Sequence, residues 1–145
     1  MVLQKKIEEH FGTDLRDKLI SIWGLSFKPQ TDDIREAPSL VLIRRLLELG
    51  AKIRVHDPEA MRNVKSEFGE QLTYCHRMMD VADQADALAI CTEWQDYRTP
   101  DFLELKDRMK QPTIFDGRNL YDCNKMAELG FNYYSIGRPV VRQEV

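Results

Sequence analysis

Short apolar runs alternate with segments of helical spacing along most of the chain. Six runs have strand character: LISIWGLSF (19–27), KIRVHD (52–57), LTYC (72–75), ALAICTEW (87–94), PTIFDG (112–117) and NYYSIG (132–137). Between them, SLVLIRRLLELG places its apolar side chains on one helical face, at Leu40, Ile43, Leu46 and Leu47. The alternation predicts an α/β fold, a Rossmann-like three-layer sandwich in which a mostly parallel six-stranded sheet carries helices on both faces.

Local start and stop signals agree with this division. Asp57-Pro58 and Thr99-Pro100 each combine an N-cap oxygen with a following proline, which predicts the start of a helix. Gly50 and Gly130 stand where helices should end in a left-handed residue. The uninterrupted apolar run ALAIC predicts a central strand.

The length of 145 residues is that of one domain. Residues 1–17 have the composition of a short charged helix that is too short to be stable alone, so we expect it either to dock on the rest of the protein or to continue a segment upstream. Residues 18–138 form the predicted Rossmann-like domain. The charged ending RPVVRQEV predicts a flexible tail over 139–145.

Composition excludes several classes of function. The 21 Lys and Arg residues nearly balance 24 Asp and Glu, so nucleic acid is not an expected partner. No apolar run approaches the roughly 20 residues of a membrane span, and we expect a soluble, cytoplasmic protein without a membrane partner. Cys75, Cys91 and Cys123 are odd in number and widely spaced, which favours reduced thiols. His10, His56 and His76 are too far apart in sequence to suggest a zinc site.

The loop after the first strand lacks a dinucleotide-binding fingerprint. A Rossmann site for NAD needs G-x-G-x-x-G, whereas this chain has one glycine, Gly24, in GLSFKP. Asp57 stands where the ribose-binding acid of that motif would be, but without the glycines we interpret it as a helix cap. These residues alone predict a poor NAD site.

Two cationic residues follow different predicted strands. Lys28 comes after the first strand, next to Pro29, and Arg118 ends another run in FDGRNLYD. Taken alone, each of these residues is equally consistent with an ordinary surface cation that binds no ligand. Because the carboxyl ends of parallel strands meet at one edge of a sheet, the pair predicts a site for one anionic ligand.

Other polar and aromatic residues near these loops leave alternatives open. The acids Asp32, Asp33 and Glu36 lie beside Arg35, and they form either a metal site or, as we favour, a salt-bridge and capping network that stiffens the loop. Trp94 and Tyr97 either stack on a base or, more commonly for such residues, pack under a loop.

Several stretches together resemble one family. They are WGLSFKPQTDDIREAPS, KIRVHDPEAM, ADALAICTEWQDYR, FDGRNLYD and GFNYYSIGR, in family order from about residue 18 to residue 138. The chain resembles the C-terminal, UDP-binding domain of the UDP-glucose/GDP-mannose dehydrogenase family, in particular of UDP-glucose 6-dehydrogenases. The combination is specific, although no single stretch is.

The resemblance implies a function and site residues. The full enzymes oxidise UDP-glucose to UDP-glucuronate with two NAD, through a catalytic cysteine. Phe27 and Lys28 match a substrate-contacting Phe-Lys, and Arg118 matches the substrate-contacting arginine of an Asp-Gly-Arg motif. Arg35 matches an arginine that reaches NAD across the cleft between domains. No catalytic residue and no metal ligand is implied within this chain.

The resemblance also implies partners outside the chain. The sequence contains neither the fingerprint glycines nor a Gly-Gly-x-Cys-x-Pro-Lys-Asp segment, so we expect a fragment that binds UDP-glucose or UDP-glucuronate without turning it over. In such a fragment, residues 1–17 would be the end of the connection between two domains. NAD would be bound mainly by a missing N-terminal domain, and a homo-oligomer is expected. The alternatives are an independent NAD-dependent enzyme, a noncatalytic oligomerisation domain, or a domain of a UDP-N-acetylhexosamine or GDP-mannose dehydrogenase.

Overall fold

A computed structural model describes residues 2–143 of the protein. The strands are β1 (Leu19–Trp23), β2 (Lys52–His56), β3 (Thr73–Tyr74), β4 (Ala87–Ile90), β5 (Thr113–Asp116) and β6 (Asn132–Tyr134). The α-helices are α1 (Val2–Phe11), α2 (Pro38–Glu48), α3 (Met61–Phe68), α4 (Phe102–Arg108) and α5 (Cys123–Leu129). Short 3₁₀ helices cover Gly69–Gln71, Met78–Ala82 and Gln95–Tyr97.

The strands form one sheet in the order β3-β2-β1-β4-β5-β6, and every neighbouring pair is parallel. This confirms the predicted Rossmann-like sheet, and β4 is central as its apolar sequence indicated. Strand order reverses between β1 and β4, where Ile20 pairs with Ala87 and Trp23 with Ile90. Ligands of such sheets bind beyond the carboxyl ends of the strands at this reversal.

Two hydrophobic cores cover the two faces of the sheet, which completes the three predicted layers. The first core joins Ile20 and Ile22 of β1 to α1, α2 and α3. The second joins Trp23 of the same strand to α4 and α5. Side chains alternate between the two faces of β1 because successive residues of a strand point to opposite sides. Among residues 2–143, no helix is long and apolar enough to cross a membrane.

Helix α1 docks on the sheet, as expected of the N-terminal segment, whereas the assignment of residues 1–17 to a connection between domains stays a prediction. Leu3 and Ile7 are buried in the first core. At the end of the helix, His10 Nδ1 lies 2.6 Å from the hydroxyl of Tyr134 in β6. These contacts stabilise a helix that its own length would not.

Some predicted strands are longer than the observed strands, and some predicted helix starts are shifted. The first strand ends at Trp23, because Gly24 has φ +94 and turns the chain out of the sheet. The predicted helix start at Thr99-Pro100 is wrong. Helix α4 begins at Phe102, because the Asp101 carboxylate accepts a 3.1 Å hydrogen bond from the Glu104 amide and caps the helix there.

The end of the described chain lies against β6. Val141 forms an antiparallel bridge with Tyr133, and the Gln143 amide donates to Asn132 Oδ1 at 2.8 Å. The flexibility predicted for 139–145 stays a prediction, as does the division at residues 17 and 138, and Glu144 and Val145 lie outside the described residues.

Two histidines are packed against tyrosines and favour the neutral form. Burial lowers the pKa of His56, whose Nδ1 lies 2.8 Å from the Tyr97 hydroxyl, against the opposing effect of Asp57 and Asp96. Burial, followed by the positive charge of Arg142, lowers the pKa of His10. The unfolded chain therefore binds more protons than the folded protein below the ordinary histidine pKa of about 6.5.

We expect the free energy of unfolding to fall as pH is lowered from about 7.5 to 5.5, with a slope of at most about 1.4 kcal/mol per pH unit for each histidine. Urea unfolding at several pH values measures this slope, and the double variant His10→Gln, His56→Gln should flatten it. The pKa values of Asp14 and Asp33 are lowered to about 2 by their arginine partners, so these groups titrate below the range. Stability that is constant or rises on acidification would contradict the prediction.

Candidate functional site at the carboxyl edge of the sheet

The loops that carry the predicted site residues leave the same edge of the sheet. Phe27 and Lys28 follow β1, and Arg118 follows β5, while β4 lies next to both strands. Two consecutive residues of the loop after β4 contact the loop after β1 and the loop after β5. Thr92 Oγ1 donates a 2.7 Å hydrogen bond to the Ser26 carbonyl, and Glu93 forms an ion pair with Arg118.

The loop after β1 is held by backbone contacts while two of its side chains face solvent. The Ser26 hydroxyl donates to the Lys28 carbonyl at 2.8 Å, and the Phe27 amide donates to the Asp33 carbonyl at 2.7 Å. Phe27 is 51% exposed and Lys28 is also exposed, so both residues are accessible to a ligand.

Arg35 pairs with Asp33 inside the same loop. Its Nε and Nη2 donate to the two carboxylate oxygens at 3.0 and 2.9 Å. Hydrogen bonds from the side chain and backbone of Arg35, with the charge of Lys28, lower the pKa of Asp33 to about 2. This pair is the part of the predicted salt-bridge network that forms, because Asp32 and Glu36 make no ion pair within residues 2–143. The Arg35 side chain is 88% exposed, and its predicted contact with NAD across a domain cleft stays a prediction.

The turn that carries Arg118 is built around the buried carboxylate of Asp116. Its two oxygens accept hydrogen bonds from the Arg118 amide at 2.9 Å, the Leu120 amide at 2.7 Å and the Tyr133 hydroxyl at 2.6 Å. Sequence analysis did not identify this role for Asp116. The signal was available, because an aspartate before glycine at the end of a strand commonly caps the following turn.

Glu93 is a second site residue that sequence analysis missed. Its carboxylate accepts a hydrogen bond from Arg118 Nε, across 25 residues of sequence. The Glu93 side chain is 23% exposed and that of Arg118 is 42% exposed. Its place just beyond a buried central strand, at the reversal of strand order, is the one signal that would have drawn attention to it.

Beside Arg118 lies an apolar pocket of about 270 Å³. Leu3 of α1, Pro38 of α2, Cys91 after β4 and Gly117 after β5 line it. Burial raises the pKa of Cys91 to about 12, so this thiol stays protonated and is unsuited to act as a nucleophile. The pocket therefore combines an apolar wall with a cationic rim, which suits a ligand that has an uncharged ring and an anionic group.

A larger open cleft of about 1080 Å³ lies beside α3 and β3 and includes Asp57. Both oxygens of this buried carboxylate already accept backbone hydrogen bonds. Oδ2 accepts from the amides of Leu25 and Ser26, and Oδ1 accepts from those of Glu59 and Ala60. Four bonds fill the lone pairs of a carboxylate, so Asp57 has none left for a ribose hydroxyl. It caps the turn before α3 and not the helix itself, whose N-cap is Ala60, so the predicted helix start at Asp57-Pro58 is wrong by three residues.

Backbone strain is concentrated in the two loops of the site. Four non-glycine residues between positions 2 and 143 have positive φ, and three of them lie here: Gln30 at 67°, Glu36 at 59° and Asn119 at 55°. Each such conformation costs on the order of 1 kcal/mol and persists where the surroundings impose it. The Asn119 side chain shows how, because it exchanges two hydrogen bonds with the backbone of Ile136, at 2.9 and 2.8 Å.

The other predicted aromatic contacts are structural. Trp94 and Tyr97 are buried, and the Tyr97 ring stacks on Trp23 with centroids 5.0 Å apart. They therefore pack under the loop after β4, as favoured from the sequence.

The parallel order of six strands, with cationic loops at its carboxyl edge, defines a Rossmann-like ligand-binding domain. The sequence profile described as "UDP-glucose/GDP-mannose dehydrogenase family, UDP binding domain" matches residues 21–123. The chain belongs to this family.

Two curated relatives of similar sequence are UDP-glucose 6-dehydrogenases. The UDP-glucose 6-dehydrogenase of Pseudomonas aeruginosa is 43% identical over 143 residues, which cover 95% of this chain and 32% of the relative. That of Rhizobium meliloti is 41% identical, over 93% of this chain and 31% of the relative. The chain thus spans about a third of the length of these relatives.

Solved structures with a similar fold include two sugar-nucleotide dehydrogenases. A UDP-glucose dehydrogenase from Pyrobaculum islandicum has a TM-score of 0.70 at 34% identity, over 80% of this chain and 25% of that chain. An NDP-N-acetyl-D-galactosaminuronic acid dehydrogenase from Methanosarcina mazei has a TM-score of 0.76 at 26% identity, over 94% of this chain and 28% of that chain.

Proposed function

We propose that this chain binds the uridine diphosphate part of a UDP-sugar at the carboxyl edge of its sheet. Lys28 and Arg118 hold the diphosphate, and Phe27 contacts the substrate beside them. The observation that carries the proposal is the attachment of both cationic loops to consecutive residues, Thr92 and Glu93, at the reversal of strand order. Two cations on one side of a low-dielectric edge attract a diphosphate more strongly than either does alone.

The apolar pocket beside Arg118 supports a ligand that carries a ring as well as a charge. Its wall includes Leu3 of α1, so the docked helix contributes to the site. A nucleotide diphosphate presents both surfaces, whereas inorganic phosphate presents one. We therefore propose that the uridine part of the ligand determines much of the binding energy.

Within a whole enzyme, we propose that this domain serves the NAD-dependent oxidation of UDP-glucose to UDP-glucuronate in the cytoplasm. The similarity to UDP-glucose 6-dehydrogenases supports this assignment. NAD, bound by another domain, would be the oxidant, and Arg35 would contact NAD across the cleft between the domains. Because the Asp57 carboxylate already accepts hydrogen bonds from four backbone amides, it is not available to this domain as a ribose-binding acid.

Calorimetric titration of the 145-residue chain tests the binding proposal. UDP should bind, NAD should not, and Arg118→Ala or Lys28→Ala should each weaken UDP binding about 10- to 100-fold, the value of one charge-assisted contact. Lys52→Ala is the matched control, because Lys52 begins β2 at the opposite, amino edge of the sheet. UDP binding that is equal in all four proteins would exclude the proposed site.

A further inference from the structure

Arg118 is held in place from two directions. Its backbone belongs to the turn capped by Asp116, and its side chain is bound by Glu93 from the neighbouring loop after β4. The backbone contact alone leaves the four side-chain torsions of an arginine free. Fixing them before a ligand arrives removes an entropic cost from binding.

Glu93 binds only one edge of the guanidinium. The carboxylate contacts Nε, and within residues 2–143 neither terminal nitrogen of Arg118 has a hydrogen-bond partner. Arg35 provides the contrast, because Asp33 occupies both its Nε and its Nη2. The terminal edge of Arg118, with its parallel N–H groups, therefore stays open for an oxyanion while the Nε–H group is anchored by Glu93.

The anchor is itself part of a rigid element. Glu93 follows Thr92, whose hydroxyl is bonded to the Ser26 carbonyl, and Cys91, whose amide donates to the Trp23 carbonyl at 2.9 Å. Movement of Glu93 would therefore disturb the loop that carries Phe27 and Lys28. The loop after β4 sets the position of one cationic loop through Thr92 and of the other through Glu93.

From this geometry we propose that Glu93 is a positioning residue, which aims Arg118 at the anionic group of the ligand. The proposal rests on the UDP site proposed above. Glu93 also brings a negative charge close to an anion, which by itself weakens binding. Its positioning effect and its charge thus act in opposite directions, and a test must separate them.

Two substitutions make this separation. Glu93→Gln and Glu93→Ala both remove the charge, but glutamine keeps an oxygen that accepts from Arg118 Nε. UDP should bind Glu93→Ala about three- to tenfold more weakly than Glu93→Gln, the effect of one disordered long side chain. Glu93→Gln should bind UDP at least as tightly as the unsubstituted chain.

Glu67 supplies the matched control pair. Its carboxylate accepts a 2.8 Å hydrogen bond from Arg44 in an exposed ion pair between α3 and α2. Glu67→Gln and Glu67→Ala should bind UDP equally, which shows that the difference at Glu93 is specific to the site.

A spectroscopic measurement follows the arginine itself. The Nε–H resonance of Arg118, assigned by its absence in Arg118→Ala, should be protected from solvent exchange in the unsubstituted chain and in Glu93→Gln, and should be lost in Glu93→Ala. Equal UDP affinities for the two Glu93 variants, while Arg118→Ala still weakens binding, would overturn the role of Glu93 and leave the UDP site intact. If Arg118→Ala has no effect on UDP binding, both proposals fail.

Discussion

Replacing Asp57 by alanine is expected to lower the free energy of unfolding by about 3 to 5 kcal/mol. The substitution removes the acceptors of four backbone amides, those of Leu25, Ser26, Glu59 and Ala60, at a carboxylate that is 1% exposed. Buried donors without a partner carry their full desolvation cost. For a domain whose total stability is on the order of 5 to 15 kcal/mol, this loss is severe.

Urea unfolding followed by circular dichroism measures the effect. Asp122→Ala is the matched control, because this exposed N-cap of α5 accepts a single amide hydrogen bond, from Lys125 at 2.9 Å. We expect the control to lose about 1 kcal/mol. Losses of equal size in the two variants would show that the buried carboxylate does not hold the loop after β1 to the turn before α3.

Replacing Gly24 by alanine should also be strongly destabilising, by about 3 to 5 kcal/mol. Gly24 has φ +94, and a Cβ atom there would lie 2.6 Å from the backbone nitrogen of Thr92. The cost combines a left-handed backbone with an overlap that only a shift of the loop after β4 can relieve. Since Thr92 and Glu93 hold both cationic loops, such a shift should also weaken UDP binding.

Gly12→Ala separates strain from overlap. Gly12 has a similar φ of +85, but a Cβ atom there would meet nothing within 4 Å. We expect a loss of about 1 to 2 kcal/mol, from backbone strain alone. If urea unfolding shows that Gly24→Ala lowers the free energy of unfolding no more than Gly12→Ala does, the close approach of Gly24 to Thr92 does not contribute to the loss of stability.

The sequence was sufficient to predict the layers of the fold, because strands buried on both faces are apolar throughout and helices are apolar on one side. The run ALAIC shows this most simply, since it became the central strand β4. Strand ends were harder to predict. The run from Leu19 to Phe27 has strand character to its end, but Gly24 turns the chain out of the sheet, and the amides of Leu25 and Ser26 donate to Asp57 instead.

The cationic residues of the candidate site could be predicted from the sequence, but the residues that hold them in place could not. Lys28 and Arg118 each follow a strand, and the parallel topology brings their loops to one edge. Glu93 was missed because its contact joins two loops across 25 residues of sequence, and no local pattern encodes such a pair. The contact between His10 and Tyr134 could not be predicted from the sequence either, because it depends on where α1 packs against β6.

The central claim is that Lys28 and Arg118 hold one diphosphate, and a crystal structure of this chain with UDP tests it most directly. The proposal predicts that Lys28 Nζ and the terminal nitrogens of Arg118 both lie within hydrogen-bonding distance, about 2.7 to 3.2 Å, of oxygens of the same UDP molecule. UDP bound in the cleft beside α3, or in contact with neither cation, would contradict it.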